Sequence, residues 1–223
     1  MAGDARMNVD GWENMESGPK HVLEVPGLDY AIALPLVEIE SGGRRLRIAS
    51  LNLVGRVGLN DDLGRMLADR MRERLDGFEG VVILTAVEKA LQLVQVVARE
   101  LGVHEVAVAY NRVKPHMQPG QRPLVRIGSG SITSGEKTLV MYERDIRLLA
   151  TARRGVVIVD DVVSTGETVR GLLRLAARAA ERGGFAEPPL LGVFCAACEG
   201  APPQLPAPLV HLAELPPPEV LAD

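Results

Sequence analysis

Two uninterrupted apolar runs constrain this chain most: "GVVILT" at 80–85 and "GVVIVDD" at 155–161. Neither alternates apolar with polar residues before its end. A strand without alternation is covered on both faces, as in a parallel sheet with helices on either side. The segments that follow supply those helices. Residues 88–101 place Ala90, Leu91, Val94, Val97, Ala98 and Leu101 on one side, with Gly102 as the stop. Residues 166–182 turn Val169, Leu172, Leu173 and Ala176 inward. "EVAVAY" (105–110), "KTLVMY" (137–142), "LLGVFCAA" (190–197) and "LVHLAEL" (209–215) read as further strands, and 143–152 as a short helix. The order predicts an α/β fold with a doubly wound, mainly parallel sheet.

Upstream of this unit, short alternating runs flank Ser41-Gly42-Gly43 and predict antiparallel strands. Leu63, Met66, Leu67, Met71 and Leu75 then share a helical face, with Asn60 or Asp61 as the N-cap. That face suits the core or a contact with a second copy equally well. Residues 118–137 break the rhythm with Gly, Pro and Ser, and read as a long loop or a loose hairpin. The expected organisation is a flexible tail at 1–20, a strand unit at 21–60, the main domain at 61–215 and a second tail at 216–223.

Composition narrows the function classes. The chain is 47% hydrophobic but only 3% aromatic, so its core must be aliphatic. The net charge of −4 argues against a general nucleic-acid partner. No apolar run reaches the roughly 18 residues of a membrane span. Residues 1–20 lack a signal peptide's apolar stretch, so no membrane partner and a cytoplasmic location are expected. Cys195 and Cys198 form a CxxC inside an apolar strand, and His21, His104, His116 and His211 are scattered. A zinc site needs more ligands, and a redox pair sits at a helix start. The two cysteines therefore read as small buried residues.

The most informative string is "VVIVDDVVSTGET", Val156 to Thr168. Asp160 and Asp161 fall at a strand end, where both side chains can reach the rim. Such a pair accepts from vicinal sugar hydroxyls or holds a hydrated Mg²⁺. Ser164, Thr165 and Thr168 add hydroxyls, Gly166 permits close backbone approach, and the helix that follows points unpaired N–H groups at an anion. Carboxylates for a ribose, followed by a turn for its 5′-phosphate, describe a ribose-5-phosphate receptor. Ser164-x-x-Glu167 also fits a capping box, which needs no ligand. Rival phosphate motifs are missing: there is no GxxxxGK[ST], no GxGxxG follows a strand, and "GSGS" (128–131) precedes no helix.

The string resembles the phosphoribosyl pyrophosphate (PRPP) motif of type I phosphoribosyltransferases. The similarity is greatest to the adenine/xanthine phosphoribosyltransferase-like group, through "LPLVEI", "IASLNLVG", "LNDDLGRMLADRM", "VVILTAVEKA", "KPHM" and "SITSGEKTLVM". The resemblance implies that the N-terminal strands form a β hood over the nucleobase. It implies that Asp160 and Asp161 hold the ribose hydroxyls and neighbour Mg²⁺. Val162, Val163, Ser164, Thr165, Gly166, Glu167 and Thr168 would bind the 5′-phosphate. Ala86, Val87, Glu88 and Lys89, with Lys114, would bind pyrophosphate, and 118–137 would close over the reaction. The implied activity is Mg-dependent transfer of phosphoribose from PRPP to a purine, in a homodimer. Two positions depart from the pattern. Ala90 stands where relatives carry a glycine, and Tyr110-Asn111 where they carry Arg-Lys; Lys89, Arg112, Lys114 and Lys137 are the nearby cations. These departures keep open a non-catalytic sensor of PRPP or a nucleotide on the same fold. Adenine, xanthine, guanine and hypoxanthine all remain open as the base.

Overall fold

The structure, a computed structural model, describes residues 18–128 and 138–221. It begins with β1 (Lys20–Leu23), β2 (Ile32–Ser41) and β3 (Arg44–Ala49), an antiparallel sheet turned at Gly42-Gly43. Then come α1 (Val57–Arg74), β4 (Val81–Ala86), α2 (Leu91–Leu101) and β5 (Ala107–Ala109). A 3-10 turn at Pro115–Met117 leads to β6 (Leu124–Ile127) and β7 (Leu139–Tyr142), which pair antiparallel. The chain continues through α3 (Glu143–Leu149), β8 (Gly155–Val163), α4 (Glu167–Gly183), β9 (Leu190–Glu199) and β10 (Leu209–Leu215) to β11 (Glu219–Val220).

The central sheet has the order β10-β9-β8-β4-β5, and its neighbours are all parallel. The unbroken apolar runs fill both of its faces. Val81, Ile83, Val157 and Val159 pack with Leu63, Leu67 and Met71 of α1 and Leu93, Val94 and Val97 of α2. Val82, Leu84, Val156 and Ile158 pack with Ile146 and Leu149 of α3 and Val169, Leu172 and Leu175 of α4. Each such side chain stabilises the fold by about 1.5–3 kcal/mol relative to exposure. The strand order reverses between β4 and β8, and open α/β sheets bind ligands at such a switch point. The hood joins the α1/α2 side of the core through Leu23, Ile32, Leu34, Ala49 and Leu51.

Several expectations are corrected. Asn60 is not a cap. It lies in the first turn of α1, and its Nδ2 donates to the carbonyls of Leu53 (2.6 Å) and Arg56 (2.8 Å), so the helix starts earlier, at Val57. The apolar face of α1 is core: Leu63, Leu67 and Met71 are buried. α2 starts at Leu91 rather than 88, because residues 87–90 form a turn closed by Leu91 N–H donating to the Glu88 carbonyl at 3.2 Å. β5 is shorter than 105–110; Tyr110 forms only an isolated bridge to Val140. The glycine-rich segment is a hairpin where it is described, because Leu124–Ile127 pairs with β7, and 129–137 lie outside the described residues. Glu219–Val220, expected in a tail, pairs with Arg47 and Leu46 of β3 and extends the hood.

Cys195 and Cys198 are free and buried, as their apolar context implies. Burial, and then the Asp160 charge, push the Cys195 thiol well above its usual range, which leaves it unreactive. Among the described residues no helix is long and apolar enough to cross a membrane.

Candidate active site

The carboxyl ends of β4, β5, β8 and β9 share one rim, and the hood leans over it. Between them lies a cleft of about 370 Å³. Asp160 and Asp161 are in its wall, 8% and 9% exposed. They reach it for a reason other than the one expected. β8 does not end at the carboxylates but continues to Val163, with Asp160 opposite Cys195 and Val162 opposite Ala197 of β9. β4 stops at Ala86, so β8 overhangs its neighbour on that side. The Asp161 backbone N–H donates to Asp160 Oδ1 at 2.9 Å, which orients the Asp160 carboxylate.

Of the residues expected to bind phosphate, Val162 and Thr168 line the cleft, and Val163 is buried in the α4-side core. Ser164, Thr165 and Gly166 form the turn into α4, with Glu167 the first helical residue. Gly166 caps α4 at φ +79°, a left-handed conformation that L side chains rarely adopt. The capping box does not form. The Glu167 N–H turns to Thr165 Oγ1 at 3.4 Å, and the Glu167 carboxylate pairs with Arg170 at 3.0 Å. Arg170 also donates to the Thr165 carbonyl at 2.8 Å and, across the turn, to the Gln204 carbonyl at 3.3 Å. Arg170 thus both neutralises the carboxylate beside the turn and ties the turn to the loop after β9.

Ala86, Val87, Glu88 and Lys89 all line the cleft, and Ala90 closes it. Lys114 does not: it precedes the 3-10 turn, where its backbone N–H donates to Met117 Sδ at 3.3 Å. Sequence reasoning missed Glu199 at the end of β9 and did not assign Asn111 a site role; both line the cleft, with Ile48, Ala49, Ser50 and Leu51 of the hood. The strand-end rule that found the aspartates points equally to Asn111 and Glu199. Tyr110 leaves the cleft wall and packs edge-on against His116 and Tyr142, with centroids 5.9 and 6.0 Å away. Burial, and then the Asp145 charge, raise its phenol above the usual value. Asp145 itself is buried, accepts from Val108 N–H at 3.1 Å and pairs with Arg144.

The family model for the phosphoribosyl transferase domain matches residues 58–181, α1 through most of α4. The chain belongs to the type I phosphoribosyltransferase family. Solved structures of similar fold include the adenine phosphoribosyltransferase of Saccharomyces cerevisiae (16% identity, 79% of this chain and 93% of that one, TM-score 0.47). The adenine phosphoribosyltransferase of Thermoanaerobacter pseudethanolicus is 16% identical over 79% of this chain and 94% of its own, with a TM-score of 0.44. The purine phosphoribosyltransferase of Pyrococcus horikoshii is 20% identical over 70% and 84%, with a TM-score of 0.42. No curated protein sequence matches the chain. The described wall of the cleft carries Glu88, Asp160, Asp161 and Glu199 against the single cation Lys89.

Proposed function

We propose that the cleft binds PRPP with Mg²⁺ and transfers its phosphoribosyl group to a purine, releasing pyrophosphate and a nucleoside monophosphate. The observation that carries this reading is the meeting, in one cleft beneath the hood, of the Asp160–Asp161 pair, Thr168 of the first turn of α4 and the β4 loop. The carboxylates accept the ribose 2- and 3-hydroxyls. The turn and the first N–H groups of α4 bind the 5′-phosphate. Backbone groups of 86–89 and the Lys89 ammonium bind the pyrophosphate, and the hood shields the reacting carbon from water. No residue needs to act as a covalent nucleophile.

The donor set suits Mg²⁺. Two adjacent carboxylates offer hard oxygen ligands, and this ion is commonly held by one or two of these together with substrate phosphates and water. When bound, it neutralises charge on the leaving group. Val54, ahead of α1, and Val57, its first residue, are exposed apolar side chains, and we read the active species as a homodimer. The test is pyrophosphate release from PRPP and Mg²⁺ with adenine, guanine, hypoxanthine, xanthine and orotate. Asp160→Asn/Asp161→Asn serves as the blank. Release with a purine, lost in the blank and on addition of EDTA, is expected.

One observation favours a second reading. Asn111, not a cation, faces the cleft at β5, so the pyrophosphate end is poorly charged for turnover. A non-catalytic sensor would bind PRPP or a nucleotide, and release no pyrophosphate with any base.

A further inference from the structure

Glu167 and Arg170 lie where the phosphate turn meets α4, and neither lines the cleft. Glu167 is the first helical residue, so its carboxylate stands at the positive end of the α4 dipole. A 5′-phosphate at the turn depends on the same positive end. The Glu167 N–H can serve that phosphate, but the carboxylate opposes it. The carboxylate has no second role in the turn: it caps nothing, and among the described residues it bonds to Arg170 alone.

Arg170 is held in place by more than that charge. Its Nη1 donates to Glu167 Oε1 at 3.0 Å and to the Thr165 carbonyl at 2.8 Å, and its Nη2 to the Gln204 carbonyl at 3.3 Å. Two backbone carbonyls therefore fix the fork beside the turn. Gln204 lies between Pro203 and Leu205, whose side chains pack against Gly166, so the anchor belongs to the turn's own backing. Spacing alone does not make such a pair. Arg178 and Glu181 are also three residues apart on α4, and among the described residues they form no ion pair.

We infer that Glu167 weakens the turn for phosphate, and that Arg170 is a positioning residue that restores it by holding a cancelling charge on the carboxylate. The inference rests on the phosphoribosyl reading of the cleft. The Glu167 side chain is 68% exposed, so its field reaches a phosphate largely through water. A unit charge about one helical turn from a dianion then changes affinity a few-fold, not a hundredfold. PRPP and the product nucleotide share the 5′-phosphate, so the pair sets the affinity of both alike.

The experiment is calorimetric titration of the full chain with ribose 5-phosphate, at low salt and in about 1 M salt, where the Debye length is only about 3 Å. The variants are Glu167→Gln, Arg170→Met and Glu167→Gln/Arg170→Met. At low salt Glu167→Gln should bind about threefold tighter than the native chain, and Arg170→Met about fivefold weaker. The double variant should return to within about twofold of native, and the differences should vanish in the concentrated salt. Glu167→Gln loses a charge that stabilises the helix, so damage to the fold cannot mimic tighter binding. A Glu167→Gln protein that binds no tighter would overturn the inference and leave the phosphoribosyl reading standing. So would an Arg170→Met loss that persists in the double variant or at high salt. Failure of ribose 5-phosphate to bind the native chain and every variant would overturn both.

Discussion

Gly166→Ala isolates the turn on which phosphate binding depends. Gly166 caps α4 at φ +79°, and an added Cβ would lie 3.1 Å from Leu205 Cδ2 and 3.2 Å from Pro203 Cβ and Cγ. A left-handed L residue costs about 1–2 kcal/mol. Reduced freedom of the unfolded chain returns about 0.4–1 kcal/mol. Displacing the Pro203–Leu205 loop adds to the cost, because a proline ring yields little. The net is about 1 kcal/mol or somewhat more, a fall in Tm of roughly 2–5 °C for a chain of this size. If the turn relaxes instead, Ser164 and Thr165 move off α4, and the phosphate loses a charge-assisted bond, about tenfold or more in affinity. Differential scanning calorimetry and titration with ribose 5-phosphate read both quantities. Gly58→Ala is the control: it is helical and its Cβ would meet nothing within 4 Å. A Gly166→Ala protein with the Tm and affinity of the native chain would refute the reasoning.

Three other perturbations test separate parts of the structure. Arg170→Met removes the bonds to Thr165, Glu167 and Gln204, and should weaken ribose 5-phosphate binding about fivefold by titration, with Tm nearly unchanged. Gly64→Ala drives a Cβ to 2.5 Å from Val96 Cγ1 where α1 crosses α2, and should cost about 1–3 kcal/mol in urea unfolding, largely recovered in Gly64→Ala/Val96→Ala. Asp145 is raised above its ordinary 3.8 by burial, ahead of the lowering effects of Arg144 and the Val108 N–H. A raised folded value means the native state holds the proton more tightly, so this group's contribution to stability is lost as pH rises from 3.8 through the folded value. Asp145→Asn should flatten that part of the pH–stability curve.

The fold was legible because parallel strands covered on both faces cannot alternate, and "GVVILT" and "GVVIVDD" do not. Spacing gave most of the inward faces of α1, α2 and α4, but not buried Leu93 and Val96 of α2 or Leu175 of α4, because helices packed between a sheet and a neighbour bury a wider stripe than one line of positions. Element ends were less legible, since side-chain bonds decide them: Asn60 binding back to Leu53 moves the start of α1, and the left-handed Gly166 replaces the capping box. β11 was hidden because two residues carry no period, and only the open edge of β3 makes Glu219–Val220 a strand. In the cleft, the aspartates announced themselves as an adjacent pair at a strand end. Glu199 did not, because one glutamate after "CAAC" has no local signature, and its position comes from strand order.

The most direct test of the central claim is calorimetric titration of the native chain and of Asp160→Asn/Asp161→Asn with PRPP in the presence of Mg²⁺. One saturable site per chain is expected, lost or weakened by at least about tenfold in the variant. Equal binding to both proteins, or none to the native chain, would contradict it.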